Sequence, residues 1–350
     1  MRAYASGAVL PSPDAPVEQQ SFKGWNVQYE RYRVSVDQYI SFYRDGYLIV
    51  RNLVPKEDVD ELIQHTEDLM AGRVVIPGVP PPPEGISPQE RAQYYLRIHM
   101  LHRALEIHER YFLHPRILDV VQALVGPDVL ALQTMLFIKG PGKVGQGYHQ
   151  DSYYIPTSPD TLIGAWLALD RADEENGCLW ISPGSQHEPV YPPTSRPDLA
   201  DELEGLTTVE GVSIPDESLN DLTRIVKKYE GREIAAVLDP GDVVFFGGHV
   251  LHWSHSNRSK DRFRRSFVCH YCNARSYTEW GGGNAAHILA RGDTHLPFAK
   301  PRFGTPCAAL LSPEERKRRA PANSSMMGGP DGMMDMMPHG DDDHDDGGEM

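Results

Sequence analysis

The chain has 350 residues, enough for one large domain or two small ones, and carries 34 Lys and Arg against 49 Asp and Glu for a formal net charge of −15. Eight of the acidic residues and no basic one fall within 321–350, so the remainder is only mildly acidic and lacks the basic balance of a nucleic-acid binder. Four cysteines are too sparse for a disulfide scaffold, no apolar run reaches about 18 residues, and the first residues hold no sustained apolar stretch, so a cytoplasmic protein without signal peptide or membrane span is expected.

Residues 1–30, with their Pro, Ser and Gln, read as an extended arm. Ser35 is placed to cap a short helix with Asp37 and Gln38 in its first turn, and YLIV (47–50) is a short apolar strand. Positions 59, 62, 63, 66 and 69 trace one face of a helix that Gly72 stops. The prolines of 74–88 make a loop. QERAQYYLRIHMLHRALEIHERYF (89–112) is predicted helical, as is 115–126, opened by Pro115 and closed by Gly126.

After Gly126 the texture changes to short β-rich runs separated by Gly, Pro and Asn: VLALQTMLFIK, TLIGAWLALD, GCLWIS, REIAAVLD, DVVFFGG and RRSFVCHYC. Asn176-Gly177 signals a tight hairpin. The polar stretch 188–230 reads as an insertion between strands. Helices first and strands after predict a mainly β fold with flanking helices, built on a barrel or jelly roll. Cys269 and Cys272 have the spacing of a redox or zinc half-site, but on a strand i and i+3 face opposite sides, and they are read as two packed thiols. SPEERKRR (312–319) is a solvated basic segment, and the Met-, Gly- and Asp-rich tail 321–350 is predicted disordered.

GYHQDSYY (147–154) places His149 and Asp151 two apart; on a strand both side chains point to one face and can reach one metal ion. A third ligand has to come from elsewhere, and GGHVLHWSHSN (247–257) offers His249, His252 and His255. Two imidazoles and one carboxylate on one side of a metal leave three positions open, which suits Fe(II), although zinc accepts the same donors. RFRRS (262–266) supplies Arg262, Arg264 and Arg265, from which a planar guanidinium can grip a carboxylate; a solvated charged turn accounts for the others.

HQDSYY, NGCLWISPGSQH (176–187), GDVVFFGGHVLHWSHSNRS (241–259) and RRSFVCHYC (264–272), together with HPRILDVVQALVGPDV and TMLFIKGPG, resemble the phytanoyl-CoA dioxygenase family of Fe(II)/2-oxoglutarate-dependent oxygenases, in the right order over roughly 35–275. The resemblance implies a double-stranded β-helix (cupin-like jelly roll) core, one oxygenase domain over 31–320 with helical support at 35–126 and a β core at 127–275, Fe(II) as the metal, and 2-oxoglutarate and O2 as cosubstrates. It implies His149, Asp151 and His252 as metal ligands and catalytic centre. Ser254 and Arg264 then hold the far carboxylate of 2-oxoglutarate, Met135 and Trp166 line its pocket, and Arg97 matches an upstream basic contact. Trp253 and His255 stand where the family often has Gly, near where substrate enters. Because Asp151 is present, hydroxylation of a small metabolite or lipid-like acid is expected, ahead of halogenation and of a CoA ester, for which Arg258, Lys260, Arg262 and Arg265 would form the basic mouth. A zinc-type metallohydrolase and a non-catalytic ligand-binding barrel are the alternatives; the first needs neither O2 nor 2-oxoglutarate, the second no Asp151.

Overall fold

The computed structural model describes residues 29–76, 80–87, 90, 91, 94, 95, 97–191, 221–278 and 287–292. Nearly all of the N-terminal arm, most of the 188–230 insertion, Cys307, the basic segment 312–319 and the acidic tail lie outside these residues. Among the described residues no helix is long and apolar enough to cross a membrane.

Local sequence chemistry sets the first elements. Helix α1 (Val36–Asp45) opens with a reciprocal cap: Ser35 Oγ accepts from the Gln38 backbone N–H while the Gln38 side chain accepts from that of Ser35. Gly46 closes it in the left-handed region at φ 85°. Strand β1 (Tyr47–Val50) follows, then α2 (Lys56–Met70), whose Val59, Leu62, Thr66 and Leu69 form the buried stripe.

The predicted helix over 89–112 is corrected. Residues 97–99 form strand β2 (Arg97–His99), paired with the edge of a long strand, β3 (Val129–Lys139). Met100, at φ 59°, then turns the chain into a short 3-10 turn, and helix resumes only at α3 (Glu106–Phe112). Local helical propensity lost to backbone hydrogen bonds that β3 offers only in the folded state. Helix α4 (Pro115–Val125) forms where predicted, with Pro115 in its first turn.

The remaining strands are β4 (Gln146–His149), β5 (Ile163–Ala168), β6 (Leu179–Ile181), β7 (Ile234–Ala236), β8 (Val243–Gly247), β9 (His252–Ser254), β10 (Arg264–Asn273) and β11 (Ile288–Arg291). Two short helices interrupt them, α5 (Asp151–Tyr154) and α6 (Asp221–Val226). A seven-stranded sheet runs β1-β8-β5-β10-β3-β11 with β2 also on β3, facing a four-stranded sheet β4-β9-β6-β7, and every pairing between these strands is antiparallel. This two-sheet barrel is a jelly roll.

Strand alternation sorts the large sheet into two faces. Ala165, Leu167, Phe245, Phe267 and Cys269 pack with α2, α3 and α4 residues such as Leu62, Phe112 and Leu118. Trp166, Val244, Phe246 and Val268 point the other way, into the barrel, with Ile181 and Met135. Both faces are thus covered, which is why β5 is buried at all six positions. Cys178, Cys269 and Cys272 are free and buried, the latter two in different clusters, as packed thiols should be.

The Asn176-Gly177 hairpin expectation is also corrected. β5 pairs with β8 and β10, whereas β6 pairs with β7 and β9, so the turn carries the chain from one sheet to the other. Its chemistry serves that crossing: the Asn176 amide donates to Arg171 O and Phe263 O, and Gly177 adopts φ 79°.

On the outer face of the small sheet, Tyr148, Trp253 and Trp180 stack side by side, and Tyr148 OH, Ser182 Oγ and Trp253 Nε1 all donate to Glu233. Burial outweighs these donors and pushes the Glu233 carboxyl up from 4.5 to about 7. The folded chain therefore holds this proton more tightly than the unfolded chain, and stability falls as pH rises from the unfolded value through the folded one. Glu233→Gln is expected to flatten this part of the curve. After allowance for the partial exposure of the group, it should gain about 1–2 kcal/mol at about pH 8 and nothing at about pH 4. Thermal unfolding at the two pH values checks this; an equal shift at both would contradict it.

Candidate active site

Strand β4 ends at His149, Gln150 stays extended at φ −124° and ψ 127°, and Asp151 opens the short helix α5. The single-strand geometry expected for His149 and Asp151 is therefore corrected: they flank a strand-to-helix junction. One extended residue between them is enough to keep both side chains on the same side, and a carboxylate suits the first turn of a helix. His252 begins β9 and is the register partner of His149 across the small sheet.

The three side chains meet. Asp151 Oδ1 lies 3.7 Å from both His149 Nε2 and His252 Nε2, the two imidazole rings are 4.1 Å apart, and one ligand atom from each residue falls within 4.8 Å of the others. All three are buried. The backbone fixes which nitrogens face inward: His149 Nδ1 is 2.8 Å from Gly147 O and His252 Nδ1 is 2.9 Å from Val250 O. A carbonyl only accepts, so both Nδ1 atoms carry protons, and the Nε2 atoms are the ones left to ligate. The Gln146 amide, 3.1 Å from His149 Nε2, is placed to donate to it.

Burial and the neighbouring His252 press the His149 pKa down to about 3, which keeps the ring neutral and able to ligate. Burial opposes the charge of Asp151, but His270, His252 and His149 outweigh it and hold the carboxyl well below its usual range. His270, on β10, is the partner that sequence reading missed: its Nε2 donates to Asp151 Oδ2 at 2.9 Å, leaving Oδ1 free for a metal. The signal available was parity, because His270 lies six residues beyond Arg264 and shares its strand face.

That face decides among the arginines. Arg264, Ser266, Val268 and His270 point into the barrel, whereas Arg265 points out, where Asp170 grips it through two oxygens and Glu67 adds a third contact. Arg262 is likewise consumed by Asp173 and Glu175. The basic mouth expected for a CoA ester is thus neutralised at two of its members, and the Arg258 guanidinium turns to the Glu174 carbonyl.

Arg264 is buried and has no ion-pair partner among the described residues. Its Nε donates to Gly177 O and Nη1 to Ser266 Oγ, each at 3.2 Å, while Phe137 and Trp166 flank its guanidinium at 5.7 and 5.4 Å. The remaining donors of the fork are available for a carboxylate. Lys139, a second buried cation that sequence reading also missed, stands beside it. Met135 lies on the same strand face as Lys139, and its register partner is Val268. Arg97 sits at the metal side, close enough for its charge to lower the His149 pKa. Ser254 faces Lys139, with Oγ 3.0 Å from Nζ.

The other candidate histidines are turned elsewhere: His249 is half-exposed and pairs with Asp160 at 2.7 Å, and His255 donates from Nδ1 to Ser256 O.

Three converging donors able to hold a metal from one side, beside a buried guanidinium with no carboxylate partner among the described residues, meet the requirements of a reaction in which a chelating dicarboxylate and O2 share one ferrous ion. Fold and site together define an Fe(II)- and 2-oxoglutarate-dependent oxygenase. The sequence model of the phytanoyl-CoA dioxygenase (PhyH) family matches residues 42–266, well over half of the chain, and the chain belongs to that family. Peroxisomal phytanoyl-CoA dioxygenase of Rattus norvegicus is 29% identical over 308 residues, covering 84% of this chain and 80% of the relative. The Homo sapiens protein of the same name is 28% identical over 290 residues, covering 77% and 78%. Among solved structures, the apo non-heme monooxygenase ThoJ superposes with a TM-score of 0.53 at 22% identity, over 76% of this chain and 87% of that one. EctD from S. alaskensis with 2-oxoglutarate and 5-hydroxyectoine gives 0.51 at 19% identity, over 79% and 86%. These two similarities establish the shared fold.

Proposed function

We propose that the protein hydroxylates a small metabolite or lipid-like acid at the expense of 2-oxoglutarate, with His149, Asp151 and His252 as iron ligands and Arg264 as the anchor for the cosubstrate. The observation that carries this reading is the pairing of the three converging ligand atoms with a buried guanidinium that no carboxylate among the described residues neutralises. Either feature alone fits a hydrolase or a binding barrel; both together fit a bound dicarboxylate.

When bound, ferrous iron supplies the O2 activation that couples decarboxylation of 2-oxoglutarate to oxidation of a C–H bond. The chain's residues do the placing. The two imidazoles and Asp151 Oδ1 would hold the metal, and His270, bonded to Oδ2, would leave the carboxylate one oxygen with which to bind it. Phe137 and Trp166 flank the Arg264 fork, whose remaining donors would grip the far carboxylate of 2-oxoglutarate. Ser254 adds a hydroxyl to that end. Met135 lines the wall, and Arg97 serves the chelating end near the metal.

Ion pairing of Arg262 and Arg265 removes positive charge from the place where CoA phosphates would bind, which supports a substrate without a nucleotide handle. Sparse, buried free thiols support a reducing cytoplasmic location, whereas the rat and human relatives carry a peroxisomal designation. Fe(II)-loaded protein should release succinate only with 2-oxoglutarate and O2 present, faster with its substrate; a panel of small acids and acyl-CoA esters assayed this way tests the reading. Turnover of any of them without O2 or 2-oxoglutarate would sink it.

A further inference from the structure

We propose that Lys139 is a positioning residue of the cosubstrate pocket: its ammonium, saturated by protein oxygens, makes the Ser254 hydroxyl an obligate donor aimed at the carboxylate that Arg264 grips. The proposal rests on the 2-oxoglutarate reading above and adds a residue and a mechanism to it.

Lys139 ends β3 directly opposite Arg264 on β10, and the two are 2% and 3% exposed. Like charges opposed across a ladder and withdrawn from water are costly, and an apolar residue would fill the space more favourably. Burial and the Arg264 charge both draw the Lys139 pKa well below its usual range, a cost that an anion between the two cations relieves.

Proton counting gives the role. Nζ donates to Ser254 Oγ at 3.0 Å, His255 O at 2.8 Å and Gly177 O at 3.3 Å. In the charged form, which an anion beside Arg264 stabilises, three acceptors use the three protons of the ammonium, so none remains for a ligand. Ser254 Oγ also accepts from the Gln146 backbone N–H at 3.3 Å. A hydroxyl has two lone pairs and one proton; with both lone pairs taken, the proton must be donated. No acceptor for it is found among the described residues, and Ser254 lies two residues beyond His252 on β9, on the same face. Its proton therefore enters the space between the metal ligands and Arg264.

The backbone is shaped around this ammonium. Gly177 supplies one of the three acceptors, and a Cβ there would lie 2.5 Å from His255 O and 3.1 Å from Lys139 Nζ. Only glycine brings that carbonyl to both Lys139 and Arg264.

The test is calorimetric titration of Zn(II)-loaded protein with 2-oxoglutarate and with pyruvate, which has the same chelating end but no far carboxylate. Lys139→Met should weaken 2-oxoglutarate binding by about tenfold or more, as expected for a charge-assisted contact, and leave pyruvate binding unchanged. Ser254→Ala should weaken it too but add little in the Lys139→Met background, because the two changes remove one coupled interaction. Lys139→Gln, which keeps a donor for Ser254 without the charge, should fall between parent and Lys139→Met, and it decides the matter if Lys139→Met does not fold. Unchanged 2-oxoglutarate affinity, equal loss of both ligands, or simple addition of the Lys139 and Ser254 effects would overturn the proposal. Failure of the parent protein to bind 2-oxoglutarate while pyruvate binds would instead overturn the cosubstrate reading on which it stands.

Discussion

Asp151→Ala protein is expected to release no succinate above background and to lose the rise in thermal midpoint that the parent shows on adding Fe(II) or Zn(II). Removing a partner behind a ligand costs about 10–100-fold in metal affinity, and removing the ligand itself costs more. The metal-dependent rise vanishes because a ligand that binds only the folded state stabilises in proportion to the logarithm of its occupancy. The same change should not unfold the metal-free protein. Asp151 is a buried carboxylate among three imidazoles, and its loss costs the His270 N–H its acceptor, about 1–3 kcal/mol, while the rings themselves can stay uncharged. His149 already meets that condition, its pKa having been pressed down to about 3. An Asp151→Ala protein that binds Fe(II) as tightly as the parent, measured by equilibrium dialysis, would remove the residue from the ligand set. His270→Ala should fall between the two, binding metal about 10–100-fold more weakly while keeping all three ligands.

Arg264→Ala should raise the Kd for 2-oxoglutarate by about one to two decades, whereas Arg265→Ala should change it little. The first figure follows from about 1.5–3 kcal/mol for a charge-assisted hydrogen bond, at about 1.4 kcal/mol per decade. The contrast follows from the strand period: Arg264 enters the barrel between Phe137 and Trp166, and Arg265 leaves it toward Asp170 and Glu67. Loss of Arg265 should appear in stability instead, since its removal leaves Asp170, itself largely buried, without its bidentate partner. Titration of metal-loaded variants distinguishes the two; equal effects of the neighbouring substitutions on cosubstrate affinity would defeat the assignment.

Interactions short in sequence were legible without coordinates. The Ser35 cap, the Gly72 stop, the Pro115 start and the apolar runs of β3, β5, β8 and β10 depend on neighbours a few residues away, and the structure places them as read. The segment at 97–112 and the turn at Asn176-Gly177 were misread for the opposite reason. The partner of β2 is β3, with Ile98 opposite Leu136, and the destination of the Asn-Gly turn is a different sheet.

The sequence by itself determined that a mainly β chain carries an H-x-D pair, a later cluster of histidines and an arginine-rich strand start, in the order of the PhyH family. Only the tertiary structure decided which side chains converge at the candidate metal site. A period of two tells which residues share a strand face, but not which face turns inward; that depends on where α2, α3 and α4 cover the large sheet. His149 and His252 meet because a register shift between Gln146 and His149 sets them opposite each other where β4 pairs with β9, while β3 and β10 carry Lys139 and His270 to opposite ends of one buried stripe. Convergence of residues about 100 positions apart is a property of register, set by burial of the whole barrel, and no local pattern records it.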